Sequence, residues 1–257
     1  MGVEVDHRQR AGQCDARRRA VFCIPSTLPA VPAQLVKLQS APDLVERVHR
    51  ALLDAISDAS LAPGTRLRQE EIAEQLAVSR QPVLQALRLL KKDGFVLDAP
   101  GRGLMVAPLD VAWMRNIYQV RGALDTLAAR LAVARGSRID PRLIENGRKC
   151  ARGRSIKAMI DADMAFHNAI YAASNNPLIE LSAQVHWDHL RRVMGEVLQS
   201  SRQRSAVWDE HEAIALAISK GDADRAAQLT ETHSRTASDH LAHRLIQVLK
   251  STAGDAP

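Results

Sequence analysis

From Asp110 to about Lys250 the chain carries helical patterning and no strand signal, and this restricts its fold more than any other feature. Apolar residues recur there at three- and four-residue spacing. Short breaks at Gly136, Gly153, Asn175–Asn176 and Gly221 mark turns among six helical segments. They are Val111–Arg135, Pro141–Arg152, Ile156–Ser174, Pro177–Arg202, Arg204–Lys220 and Ala223–Leu249. Helices joined by such short turns pack antiparallel around a common core, so residues 110–250 are expected to form an all-α six-helix bundle. Composition agrees, because 46% of the 257 residues are hydrophobic while only 3% are aromatic.

The preceding segment, residues 41–109, has a different rhythm. Leu44, Val48, Leu52 and Ile56 draw one apolar stripe along a helix that Pro63-Gly64 stops. A short helix follows over Gln69–Leu76, with Ile72 and Leu76 inward. Ala77 and Val78 turn the chain, and Ser79 stands as the N-cap of a third helix reaching Asp93. Pro82 falls in the first turn of that helix, where its missing N–H is tolerated, and Gly94 supplies the stop. Two short extended runs, Phe95–Ala99 and Leu104–Ala107, flank the turn Pro100-Gly101-Arg102-Gly103 and predict a β-hairpin. Three helices followed by a hairpin are the order of a winged helix-turn-helix, giving a mainly α protein with this small domain ahead of the bundle.

Residues 1–40 mix the Arg17–Arg19 cluster with Pro25, Ser26, Pro29 and Pro32 and are expected to form a disordered tail, as are residues 251–257. No run of about 18 uncharged apolar residues occurs, so no membrane span is expected. Charges interrupt the N-terminus before any apolar signal region can form. Cys14, Cys23 and Cys150 are an odd set without CxxC spacing, which suits free thiols in a reducing cytoplasm. The net charge of +6 fits a polyanionic partner, but residues 41–109 hold nine Lys/Arg against nine Asp/Glu. A nucleic-acid reading therefore rests on where particular charges sit.

The stretch "LAPGTRLRQEEIAEQLAVSRQPVLQALRLLKKDGFV" (Leu61–Val96), followed by "GRGLMVAPL" (Gly101–Leu109), resembles the DNA-binding domain of the GntR family. "YQVRGALDTLAARLA" (Tyr118–Ala132), "DMAFHNAIYAASNNPLI" (Asp163–Ile179) and "DEHEAIALAISKGDADRAA" (Asp209–Ala227) resemble the FCD ligand-binding bundle of its FadR-like branch, in the shorter, VanR-like form. The resemblance covers roughly Leu44 to Leu249. It implies a transcription regulator rather than an enzyme. Such a regulator acts as a homodimer on palindromic operator DNA and, as ligand-released repressors dominate the family, represses.

A recognition helix needs long polar side chains near its N-terminus, where base edges and phosphates come within reach. Arg80 and Gln81 meet that demand, with Ser79 and the helix N-terminus suited to phosphate. Arg88 lies two turns on, and Arg102 occupies the wing tip, suited to a minor groove or its flanking phosphates. The resemblance assigns DNA contact to the position of Arg80. The chain departs from the family at Glu70 and Leu84, where arginines are usual, and at Gln81, where Thr is frequent. The family's common operator core therefore does not carry over.

Asp163 and His167, four apart, share one face of a helix, while His211 and His233 fall on two later helices. Facing helices can bring these four to one point, and one carboxylate with three imidazoles suits Zn foremost, or Ni, Mn or Fe. The resemblance points to the same four residues, so a divalent metal ion is expected. His186, His189, His240 and His243 are read as packed or surface residues. An open coordination position can capture a small organic acid, for which Arg121 is the candidate clamp; its other reading is a structural salt bridge to Asp125. Asn168 and Asn175 can add polar contacts, Asn175 being equally readable as a turn residue. Three other readings stand beside this one. One is a metalloenzyme, for which no HExxH, nucleophile elbow or P-loop is present. Another is a metal that is purely structural or itself the signal. The third is an acyl-CoA ligand, disfavoured by the metal set and the short bundle.

Overall fold

A computed structural model describes residues 42–198 and 206–254. The expectations for residues 1–40, and for the helix boundary near Arg202 and Arg204, lie outside that range. Nine helices and three strands run in the order α1 (Pro42–Ser57), β1 (Arg66–Leu67), α2 (Gln69–Gln75), α3 (Arg80–Lys92), β2 (Val96–Asp98), β3 (Leu104–Val106), α4 (Val111–Ala134), α5 (Pro141–Arg152), α6 (Ile156–Ser174), α7 (Pro177–Val197), α8 (Ala206–Ser219) and α9 (Ala223–Gly254), counted among the described residues. The fold is a winged helix-turn-helix followed by a helical bundle.

The stripe on α1 buries Val48, Leu52 and Ile56 against Leu87 and Leu90 of α3 and against Phe95, Val96 and Val106. Gly94, at φ +81°, adopts the left-handed conformation that reverses the chain after α3 and lets Phe95 enter this core. The expected hairpin β2–β3 forms with Val96 opposite Val106 and Asp98 opposite Leu104. A third strand, β1, adds antiparallel to β3, giving the order β1-β3-β2. Two residues show no alternation, so the sequence carries no local signal for β1; it exists because β3 offers an edge. Arg66 on β1 braces the wing turn, donating to Pro100 O at 2.7 Å and Arg102 O at 3.0 Å.

In the bundle α4 lies centrally, packing along α9, α6 and α7. Each expected start is capped: Asp110, Asp140, Ser155 and Asn176 accept hydrogen bonds from the first-turn amides of α4, α5, α6 and α7. Helix α9 continues to Gly254, past the expected end at Leu249 and into the segment read as tail. Gly147 on α5 is buried directly against the Trp208 indole, which a Cβ would overlap. Gly147→Ala is expected to destabilise the protein by about 1–3 kcal/mol through overpacking. Urea denaturation checks this; an unchanged midpoint would show that Trp208 moves aside freely.

Helix α7 also joins the two halves. His189 stacks on Phe95 with ring centroids 3.9 Å apart, and its Nε2 lies 2.8 Å from Asp93 O. Burial pushes His189 down to about 4, so near neutral pH the ring is uncharged and Nε2–H donates to that carbonyl. Arg192, one turn further, donates to Ala107 O at 2.6 Å beneath the wing.

Candidate metal centre and nucleic-acid interface

Helix α6 presents Asp163 and His167 one turn apart on its buried face, α8 presents His211 and α9 presents His233. The three histidines are at most 3% exposed, and each offers a ligand nitrogen within 4.8 Å of the others. His211 Nε2 lies 3.2 Å from His233 Nε2 and 3.5 Å from Asp163 Oδ1. With metal–nitrogen bonds of about 2.1 Å, neighbouring ligand atoms stand roughly 3.0–3.4 Å apart, so the spacing suits one small cation. His211 Nδ1 is buried without a hydrogen-bond partner, and Phe166 stacks on this ring at 4.2 Å. The three histidines fit a divalent ion, with the Asp163 carboxylate beside His211.

A second layer orients these groups. Glu210 Oε2 lies 2.7 Å from His233 Nδ1, which fixes the proton there and turns the Nε2 lone pair toward the cluster. Asp125 lies 3.6 Å from His167 Nδ1 and accepts from Tyr171 Oη. Burial drives His167 and His211 well below the ordinary histidine range, reinforced for both by the Arg121 charge, so both rings are neutral and available as ligands. Burial raises Asp163, with Arg121 and His233 opposing.

Arg121 makes the salt bridge that was one of its two readings, with Nε 2.9 Å from Asp125 Oδ2 in a buried pair. Its Nη2 donates to His167 Nε2 at 3.3 Å, and its guanidinium lies 4.2 Å over the Trp187 ring. Burial opposes its charge, but Asp125 and two tyrosines outweigh that and raise it. It also lines, with Asp163 and His233, a cavity of about 350 Å³. Asn168 and Asn175 are not among the lining residues. Asn175 is the exposed, left-handed C-cap of α6, as its turn reading implies. The sequence reading missed Glu210, Tyr171 and Trp187; the one available signal was the acidic residue directly before His211. His240 and His243 are exposed at the cavity rim, and His189 is buried at the α7 junction.

On the other half, Ser79 holds the N-cap position of α3 but its hydroxyl caps no backbone amide. Arg80, Gln81 and Arg88 are exposed along the same helix, and Arg102 is exposed in the wing turn. Glu70, the departure at the start of α2, reaches Arg80 with Oε1 2.7 Å from Nη2. Leu84 is half-buried.

A winged helix-turn-helix with an exposed basic third helix, followed by a helical bundle, is the architecture of a transcription regulator. Residues 44–106 match the family described as bacterial regulatory proteins, gntR family, and residues 116–236 match the FCD domain. The chain belongs to the GntR family, with an FCD domain as its second part. It is 27% identical over 199 residues to an uncharacterized HTH-type transcriptional regulator in an unstable DNA locus of Streptomyces ambofaciens, covering 76% of this chain and 83% of that protein. The HTH-type transcriptional repressor RspR of Escherichia coli strain K12 is 24% identical over 210 residues, spanning 76% of this chain and 88% of its own. In fold the chain is similar to the solved structure of E. coli McbR/YncC, with TM-score 0.66 and 21% identity over 81% of this chain and 100% of that one. A GntR regulator from Rhodococcus gives 0.64 and 24%, covering 77% and 97%. Among the described residues no helix is long and apolar enough to cross a membrane.

Proposed function

We propose that this regulator is a homodimeric repressor whose hold on a palindromic operator is weakened by a small organic acid bound at a metal centre in the bundle. The observation that carries the reading is the convergence of His167, His211 and His233 on one buried point, with Asp163 3.5 Å from His211, beside a cavity that Arg121 also lines. Bound there, a divalent ion, Zn foremost, supplies open coordination positions for a carboxylate. The chain's own residues do the rest. Asp125 and Glu210 orient the histidines, Arg121 offers Nη protons toward the acid, and the aromatic wall excludes water.

Helix α7 is the route to the DNA. Trp187 on it packs against Arg121 and His167, while His189 and Arg192 grip the end of α3 and the base of the wing. An acid that shifts Arg121 therefore bears on the seat of the DNA-binding domain, provided it binds the two arrangements unequally. Ser79, Arg80, Gln81, Arg88 and Arg102 are the proposed DNA contacts. Trp113, Val120 and Leu127, seven residues apart and about half-exposed on α4, form an apolar seam that suits a second copy. RspR, a relative, bears "repressor" in its name.

The test is operator affinity, by fluorescence anisotropy on duplex DNA that the protein selects from a random pool, with and without acids and chelator. One acid class should weaken binding at least about tenfold in metal-loaded protein and do nothing after chelation. The same weakening in chelated protein would refute the metal-dependent reading, and affinity that follows metal alone would make the ion the signal.

A further inference from the structure

Helix α9 lines one side of the cavity through His233, Ala237, His240, Leu241 and Arg244, positions that fall on a single helical face. The inner end of this row belongs to the metal-ligand cluster. The outer end carries Arg244, half-buried and without an ion-pair or hydrogen-bond partner among the described residues. A guanidinium in that position lacks the counter-charge that Arg121 draws from Asp125. Between the two ends the wall is mostly apolar, made by Met159, Met194, Leu198, Val207, Trp208 and Leu241, with Tyr118, His240 and His243 as its polar members.

We propose that the acid filling this cavity is an elongated diacid with an apolar middle, one carboxylate at the inner end beside Arg121 and the other on Arg244. The proposal rests on the reading of the bundle as an acid sensor and narrows its ligand. Along α9 the eleven residues from His233 to Arg244 advance about 16 Å, at about 1.5 Å each. Both side chains lean back toward the N-terminus, and the longer arginine leans further, so its head group stands somewhat closer to the cluster, at roughly 10–14 Å. Suberate, extended, spans a comparable length. The cavity of about 350 Å³ is within the range that encloses ligands of this size.

The alternatives leave something unsatisfied. A short hydroxy acid bound at the inner end leaves the Met194 and Leu241 wall uncovered, and Arg244 without an anion. Its hydroxyls would also be taken from water along a stretch of wall that is mostly apolar. A monoacid of equal length covers the wall but lays a methyl terminus against the guanidinium. Only a second anionic end matches the chemistry of the rim, where the charge-assisted bond is also the stronger kind.

Isothermal titration of the zinc-loaded full chain with suberate, octanoate and succinate tests this, alongside the variant Arg244→Gln. Suberate should bind at least about tenfold tighter than either comparison acid. The variant should weaken suberate by about ten- to a hundredfold, the range for a hydrogen bond to a charged group, and leave octanoate unchanged. Succinate binding as tightly as suberate, a variant that holds suberate as well as the parent does, or no binding by any of the three overturns the proposal. The same titrations on chelated protein separate it from the reading beneath it. Suberate affinity that survives chelation yet still falls with Arg244→Gln supports the diacid and overturns the metal-dependent sensor.

Discussion

His211→Ala is expected to lower affinity for a divalent ion by more than about a hundredfold, because disturbing only the partners of metal ligands typically costs 10–100-fold. His211 stands at the centre of the cluster, its Nε2 within 3.5 Å of both His233 Nε2 and Asp163 Oδ1. Removing it takes away one of the three imidazoles and leaves only His167, His233 and Asp163 to hold the ion. Glu210→Gln should fall between parent and His211→Ala, since it disturbs only the orientation of His233. Competition against a chromophoric chelator reads both. A thermal comparison adds a second readout: zinc at about a hundred times its Kd should stabilise the parent by roughly 2.7 kcal/mol and His211→Ala by no more than about 0.4 kcal/mol. The metal-free forms must be compared as well, because this ring stacks on Phe166 and its loss leaves a cavity. Uptake of metal by His211→Ala with undiminished affinity would refute the assignment of the site.

The second large effect is expected at the recognition helix. Arg80→Ala should weaken operator binding by about 1–3 kcal/mol if the side chain reads a base edge. If it meets phosphate instead, the loss is similar on all sequences and the salt dependence becomes shallower by about one counterion. Glu70 sharpens this prediction. Its ion pair with Arg80 is about two-thirds exposed at both partners, 65% and 63%, so it contributes only about 0–1 kcal/mol and gives way to DNA. It nevertheless places a carboxylate at the mouth of the contact. Glu70→Gln should therefore tighten binding several-fold on specific and non-specific duplexes alike, through the removal of a repelled charge. Anisotropy titrations across salt concentrations read both variants, and an Arg80→Ala protein that binds with parental affinity and salt slope would exclude Arg80 from the interface.

The bundle was legible because its information is local. Apolar spacing and the caps Asp110, Asp140, Ser155 and Asn176 mark helices within one or two turns of themselves. Strand β1 was not legible, since Arg66 and Leu67 become a strand only by pairing with Met105 and Leu104, far along the chain. The metal-ligand set followed the same division. Asp163 and His167 declare themselves by spacing, whereas placing His211 and His233 opposite them needed the family's pattern. Tyr171 and Trp187 carry no mark, and Glu210 only its place directly before His211, because acidic and aromatic residues on helices are usually solvated or packed. Arg121 shows that two readings need not compete: its pairing with Asp125 is what holds it at the cavity. Asn175, by contrast, is spent on ending α6.

Helix α7 touches Arg121 through Trp187 and the DNA-binding domain through His189 and Arg192. Equilibrium coupling through such a shared element has no direction. Whatever factor the acid takes from operator affinity, the operator takes from acid affinity. If the proposed acid releases the operator, a copy seated on DNA is a poorer receptor than one free in solution. Each additional operator in a cell raises the concentration of acid at which the population responds, so the threshold of the switch is set partly by the number of sites it occupies.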